Sequence, residues 1–167
     1  MGKLAHSLTA PEPLQPDHLT QGFDCGRESL NEWLIRRALR NESAGDSRTY
    51  VVCDKERHIA AYYCLAAGQV IRTEAPKPLT RNAPDPIPVI VLGRMAIDVS
   101  WQGKGIGSAL LRDAAYRAKA GAAVIGARAL LVHALDENAQ DFYEAHGFVP
   151  SPVVPLTLML AFKHLEE

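Results

Sequence analysis

The sequence predicts one α/β (α+β) domain over residues 1–167, with about six to seven strands flanked by helices. Three observations carry this. Val89–Leu92, followed by Met95, Ile97 and Val99, has the length and β-branched content of a buried strand. It leads into Ser100-Trp101-Gln102-Gly103-Lys104-Gly105-Ile106-Gly107-Ser108, beyond which Ile106, Leu110, Ala114 and Ala118 recur at helical spacing. That unit is strand, glycine-rich turn, helix. A second strand and helix follow downstream, and an antiparallel hairpin precedes the unit.

The elements follow in order. Residues 4–8 suit a short first strand, and Pro11, Pro13 and Pro16 break what comes next. Phe23-Asp24-Cys25-Gly26 introduces a helix from about Ser29 to Asn41, in which Leu30, Leu34 and Ala38 face the core. Arg36, Arg37 and Arg40 then point to solvent or a partner. Arg48–Cys53 and Ile59–Val70 form the hairpin, joined at Asp54-Lys55-Glu56-Arg57. Five prolines in residues 71–88 make that stretch a loop. After the central unit, Ala129–Ala134 is another buried strand. Asp136 can cap the helix that Asn138 opens, Ala139, Phe142 and Tyr143 give it one apolar face, and Gly147 suits a left-handed residue ending it. Phe148–Ser151 and Pro155–Ala161 read as the last two strands.

Composition bounds the class. Hydrophobic residues make up 47% and charged residues 22%, ordinary for a soluble globular protein with a full core. No apolar run approaches the roughly 20 residues that cross a bilayer. The N-terminus lacks a charged-then-apolar leader, and His6 spoils a myristoylation pattern. Cys25, Cys53 and Cys64 are odd in number and widely spaced, which favours reduced thiols in a cytoplasm over disulfides or a zinc site. No metal and no membrane partner are expected.

The glycine turn presents backbone N–H groups at a helix start, where unpaired donors and the helix dipole favour a phosphate. A dinucleotide fingerprint fails, because Ser108 stands where its third glycine belongs, and the P-loop pattern is absent. Gln102, Gly105 and Gly107 match Q/R-x-x-G-x-G/A directly after a strand. That resembles the acetyl-CoA signature of the GNAT superfamily of N-acetyltransferases. Asn138-Ala139-Gln140-Asp141-Phe142-Tyr143-Glu144-Ala145-His146-Gly147-Phe148 resembles the closing motif of the same superfamily. The resemblance implies a mixed, mostly antiparallel sheet with acetyl-CoA in a cleft after the central strand.

The N-terminal half narrows it. Phe23-Asp24-Cys25-Gly26, Leu30-Asn31-Glu32-Trp33-Leu34, Ser47-Arg48-Thr49-Tyr50-Val51 and Gly93-Arg94-Met95-Ala96-Ile97-Asp98 resemble the tRNA-acetylating toxins of type II toxin–antitoxin modules, as does the tail from Phe148 to Met159. That family acetylates the amino group of aminoacyl-tRNA and so blocks translation. A ribbon–helix–helix antitoxin from the same operon neutralises it, and its members tend to be homodimers.

The chemistry asks little of the protein. A free α-amino group has a pKa of about 7.7–8.0, and an aminoacyl ester lowers it, so a neutral nucleophile exists near pH 7 without a strong base. A water relay suffices. The resemblance gives Tyr143 the role of general acid to the departing sulfur, although a tyrosine on an apolar helix face is, by itself, equally a core residue. It assigns Met95, Ala96 and Ile97 to pantetheine through backbone groups. Gln102, Gly103, Lys104, Gly105, Ile106, Gly107 and Ser108 go to the pyrophosphate, and Asn138, with Asp141 beside it, joins the cofactor contacts, Asn138 being equally a helix-start residue. His133, alone in an apolar strand, reads as packed. Net charge is −1, so tRNA needs a local patch, for which Arg36, Arg37, Arg40, Arg48, Arg81 and Arg94 are candidates, with Arg72 and Lys77 nearby in sequence. Two other readings stay open: an N-acetyltransferase of a small amine or protein amino group, and a catalytically silent CoA-binding regulatory module.

Overall fold

In the computed structural model, which describes residues 8–165, seven strands hydrogen-bond in the order β1-β2-β3-β4-β5-β7-β6. These are β1 (Glu12–Pro13), β2 (Arg48–Cys53), β3 (Ile59–Val70), β4 (Ile87–Ile97), β5 (Ala129–His133), β6 (Val149–Pro150) and β7 (Thr157–Ala161). β1 with β2, β2 with β3, β5 with β7 and β6 with β7 are antiparallel, while β4 and β5 are parallel. The helices are α1 (Glu28–Trp33), α2 (Leu39–Ala44), α3 (Lys77–Thr80), α4 (Ile106–Ile125) and α5 (Glu137–Ala145). The described residues group into two compact units. One holds the chain up to Leu65 with Arg94–Ala114, the other Ala66–Gly93 with the chain from Ala115 onward.

In the first unit the core forms around Tyr62, which is fully buried. Trp33 stacks on its ring at 5.8 Å and Phe23 meets it edge-on at 5.6 Å. Its hydroxyl donates 2.7 Å to the Leu30 carbonyl, so the polar atom is satisfied. Leu30, Leu34 and Ala38 are buried as their spacing predicts. The helix differs in one respect. It runs past Asn41 to Ala44, and Leu34–Ala38 between α1 and α2 is a π-helical stretch, a wider turn that an apolar period cannot distinguish from α.

In the second unit Val70, Leu79, Ile87, Val89, Ala129, Leu131 and Met159 share a core. A Cβ on Gly68 would lie 2.6 Å from Val91 Cγ2, so this strand position admits only glycine.

Both hairpin strands match their expected spans, and β5 ends one residue short of its expected span, at His133. The expected strand at residues 4–8 falls outside the described residues apart from Leu8, which is buried. Four other boundaries are corrected. β1 forms among the prolines, since a two-residue edge strand tolerates one. The loop at 71–88 contains the short α3 and a 3-10 turn at Arg72–Glu74, and β4 begins within it at Ile87. The central strand stops at Ile97. Val99, expected in the strand, lies in a 3-10 turn with 52% exposure.

Candidate active site

The glycine turn belongs to the first unit. At the end of β4, Asp98 caps the 3-10 turn (Val99–Trp101): its Oδ1 accepts from Ser100 N at 2.9 Å and Ser100 Oγ at 2.7 Å, and its Oδ2 from Asp24 N at 3.0 Å. Burial opposes the charge on Asp98, yet these donors outweigh it and hold the carboxyl below its ordinary value. Gln102 then spends its side-chain amide on two backbone carbonyls, Ile97 at 2.7 Å and Cys25 at 2.9 Å. Gly103 (φ +76°) and Gly105 (φ +81°) take left-handed conformations, with open space where a Cβ would project. Among the described residues, Gly103, Lys104 and Gly105 donate no backbone hydrogen bond. α4 starts immediately after, so these three N–H groups adjoin a helix N-terminus: a cradle suited to a pyrophosphate.

Within that cradle the residues differ. Lys104 and Ser108 are exposed, whereas the Ile106 side chain is buried with Leu110 and leaves only its backbone to a ligand. Met95 and Ile97 are half-buried and Ala96 is buried in the core. The parallel ladder with β5 pairs Val89–Leu92 with Ala129–Val132, and β4 runs on past it to Ile97.

α5 belongs to the second unit. Asp136 Oδ1 accepts from Ala139 N at 2.8 Å, the expected cap, and Gly147 ends the segment at φ +93°. Asn138 and Asp141 are exposed on it. Tyr143 is half-buried, its ring 5.4 Å from Phe142 and 5.4 Å from Phe148. Its hydroxyl has no hydrogen-bond partner among the described residues, and burial pushes its pKa up to about 12. The ring therefore packs, and the polar tip is uncommitted among the described residues. His133 is exposed, correcting the expectation that it packs, and its Nδ1 lies 3.0 Å from Thr157 Oγ1.

The arginines do not form one set. Arg36, Arg37 and Arg40 are exposed on the first helix. Arg48 pairs with Glu42 at 2.8 Å. Arg94 lies over Trp33, with its guanidinium carbon 4.6 Å from the ring centroid. In the second unit Arg81 is exposed, and Arg72 donates to the Thr80 and Ala83 carbonyls.

Cys25, Cys53 and Cys64 are all free thiols. Glu12, His18 and Cys53 bring ligand atoms within 4.8 Å of one another. His18 Nδ1 accepts from Gln15 N at 2.9 Å, so the ring proton sits on Nε2, facing Glu12 Oε1 at 2.7 Å. In this arrangement His18 and Glu12 share a hydrogen bond.

Sequence reasoning missed Asp24, Asn31 and Asp98. Asn31, 6% exposed, accepts from Cys25 N at 2.8 Å and donates to Asp24 Oδ1 at 3.1 Å, the oxygen that also receives Gly26 N at 2.9 Å. Val99 N donates to the Asp24 carbonyl at 2.8 Å. The available signals were the motifs Phe23–Gly26, Leu30–Leu34 and Gly93–Asp98, which carry the family resemblance but do not encode this network.

Residues 45–150 match the family model described as an acetyltransferase (GNAT) domain. The chain is 44% identical over 155 residues to a tRNA-acetylating toxin of Mycobacterium tuberculosis, covering 93% of each. Among solved structures it is similar to AtaT complexed with acetyl-methionyl-tRNAfMet, at 34% identity and a TM-score of 0.87 over 94% of this chain and 96% of that one. A KacT mutant in which phenylalanine replaces a tyrosine gives 28% identity and a TM-score of 0.88, covering 95% and 96%. An AtaT mutant with a tyrosine likewise replaced by phenylalanine, bound to the C-terminus of the antitoxin AtaR and acetyl-CoA, gives 32% identity and a TM-score of 0.80 over 95% of each chain.

Proposed function

The chain belongs to the GNAT acetyltransferase family, and from that membership we propose that it transfers acetyl from acetyl-CoA to the amino group of an aminoacyl-tRNA. On this reading it is a translation-blocking toxin of the cytoplasm, held in check by an antitoxin of ribbon–helix–helix type and acting as a homodimer. The observation that carries the reading is the turn ahead of α4, with left-handed Gly103 and Gly105 and, among the described residues, no backbone hydrogen bond donated by Gly103, Lys104 or Gly105. The 44% identity to a tRNA-acetylating toxin supports the acceptor, and the relatives solved with acetyl-methionyl-tRNAfMet and with AtaR support both macromolecular partners.

Acetyl-CoA supplies the activated thioester. The amides from Gly103 to Gly107 hold its pyrophosphate, Lys104 adds a charge, and Met95–Ile97 offer backbone groups to pantetheine, with Asn138 and Asp141 as further contacts. Arg36, Arg37 and Arg40 meet RNA phosphates, as do Arg81, Arg94 and Arg48. The acceptor nitrogen attacks as a neutral amine. A C–N bond forms, the C–S bond breaks, and water removes the proton from nitrogen.

In this proposal Tyr143 is the donor to the departing sulfur. A thiol has a pKa of about 8.5, so complete transfer from a phenol raised to about 12 runs roughly 3.5 units uphill, about 5 kcal/mol. Tyr143 therefore donates a hydrogen bond that strengthens as charge builds on sulfur. Its proton moves only in concert with C–S cleavage and is recovered from the water relay.

The test is labelled acetyl-CoA with bulk aminoacylated tRNA, alongside deacylated tRNA and free amino acids. Label confined to charged tRNA supports the proposal. Label on free amines keeps the acetyltransferase and changes the acceptor. Bound acetyl-CoA with no transfer anywhere leaves only a CoA-binding module.

A further inference from the structure

The loop ahead of α1 is tied to the acetyl-CoA cradle by side chains that lie outside it. Asn31 fixes two sides of the Asp24–Gly26 loop, through Cys25 N and Asp24 Oδ1. The fixed loop presents the Cys25 carbonyl to Gln102 and the Asp24 carbonyl to Val99 N, while Asp24 N is held by Asp98. Both ends of the turn that begins the cradle are thus set from α1. Gln102 gives its amide to that framework, leaving the ligand to the backbone N–H groups that follow.

We infer that Asn31 is a positioning residue for acetyl-CoA: through Asp24 and Cys25 it holds the Asp98–Gln102 turn so that the amides following it, Gly103–Gly107, meet the pyrophosphate. The inference rests on the cradle being the acetyl-CoA site. Pre-set donors bind an anion more tightly than donors that must be ordered on binding, so slackening the loop weakens affinity before it touches chemistry.

Asn31→Asp keeps the acceptor for Cys25 N and sets a second carboxylate against Asp24. In the full-length protein it should raise the acetyl-CoA Kd by calorimetry, and the KM, about tenfold, with kcat at saturation unchanged. The Asp24→Asn/Asn31→Asp pair restores one amide facing one carboxylate and should recover most of the affinity. A purely structural Asn31 would lower the melting temperature and leave Kd and KM as in the wild type, which overturns the inference. If Asn31→Asp does not fold, Gln102→Met reads the same coupling from the turn side, and an unchanged Kd there is equally fatal. Wild-type protein that fails to bind acetyl-CoA sinks the cradle reading itself; wild-type binding with an unaltered Asn31→Asp sinks only this inference.

Discussion

Replacing Tyr143 with phenylalanine removes one oxygen and leaves the ring. The packing against Phe142 and Phe148 survives, and because the hydroxyl has no partner among the described residues, its loss orphans nothing. The melting temperature should stay where it is. The rate should not. General acids contribute about 10²–10⁴-fold, and a donor whose pKa burial has raised to about 12 belongs at the weak end, so kcat should fall about 10²-fold, near 2.7 kcal/mol, with KM for acetyl-CoA unchanged. The assay is single-turnover transfer from labelled acetyl-CoA to aminoacyl-tRNA across a pH series. A raised pKa keeps the phenol protonated through the working range. Activity should therefore rise as the acceptor amine deprotonates, with no falling limb from Tyr143 before about pH 11. The reasoning fails if the variant keeps kcat within about threefold of wild type. It also fails if wild type shows a falling limb between about pH 8 and pH 10 that the variant lacks.

Three further outcomes are expected. Gly105→Ala forces a side chain into a left-handed conformation, costing about 1–2 kcal/mol by chemical denaturation, and places a methyl group in the cradle, so acetyl-CoA affinity should drop by at least about tenfold. Replacing Arg36, Arg37 and Arg40 with alanine should leave stability unchanged, since all three are exposed, while flattening the log–log salt dependence of transfer to tRNA by about two units. Parallel salt slopes for the triple variant and wild type would remove this face from the RNA interface. Asp98 has a folded pKa below its ordinary value, so its contribution is present above about pH 4 and is lost as pH falls through the lower folded value. Urea midpoints of Asp98→Asn should sit lower than wild type at neutral pH and show less loss on acidification.

The sequence made the local signals plain. Ile106, Leu110, Ala114 and Ala118 mark one face of α4, and all four are buried. Asp136 and Gly147 bound α5 as their chemistry requires. Tyr143 stood out by its place between Phe142 and Gly147, although the absence of a partner for its hydroxyl needed coordinates. Non-local facts were out of reach. Asp24 and Asp98 are 74 positions apart and meet by one hydrogen bond that no periodicity encodes. Arg48 and Arg94 count as free cations in a composition, yet one is paired with Glu42 and the other rests on Trp33. The short α3 and β1 carry too few residues for any period to register.

The π-helical stretch at Leu34–Ala38 has a consequence for helical phase. In an α-helix each four-residue step overshoots a full turn by about 40°, so Leu30, Leu34 and Ala38 would drift about 80° around the axis. The wider turn takes up that drift, and all three stay against the core, Ala38 at 0% exposure. The segment behaves as a residue inserted and absorbed in place. Winding the same residues as a regular α-helix, with none deleted, would swing everything from Leu39 to Ala44 by about 100°. Arg40 would then leave the face it shares with Arg36, and Glu42 would lose Thr49 N and Arg48. The wider turn at this point therefore sets which way Arg40 and Glu42 look.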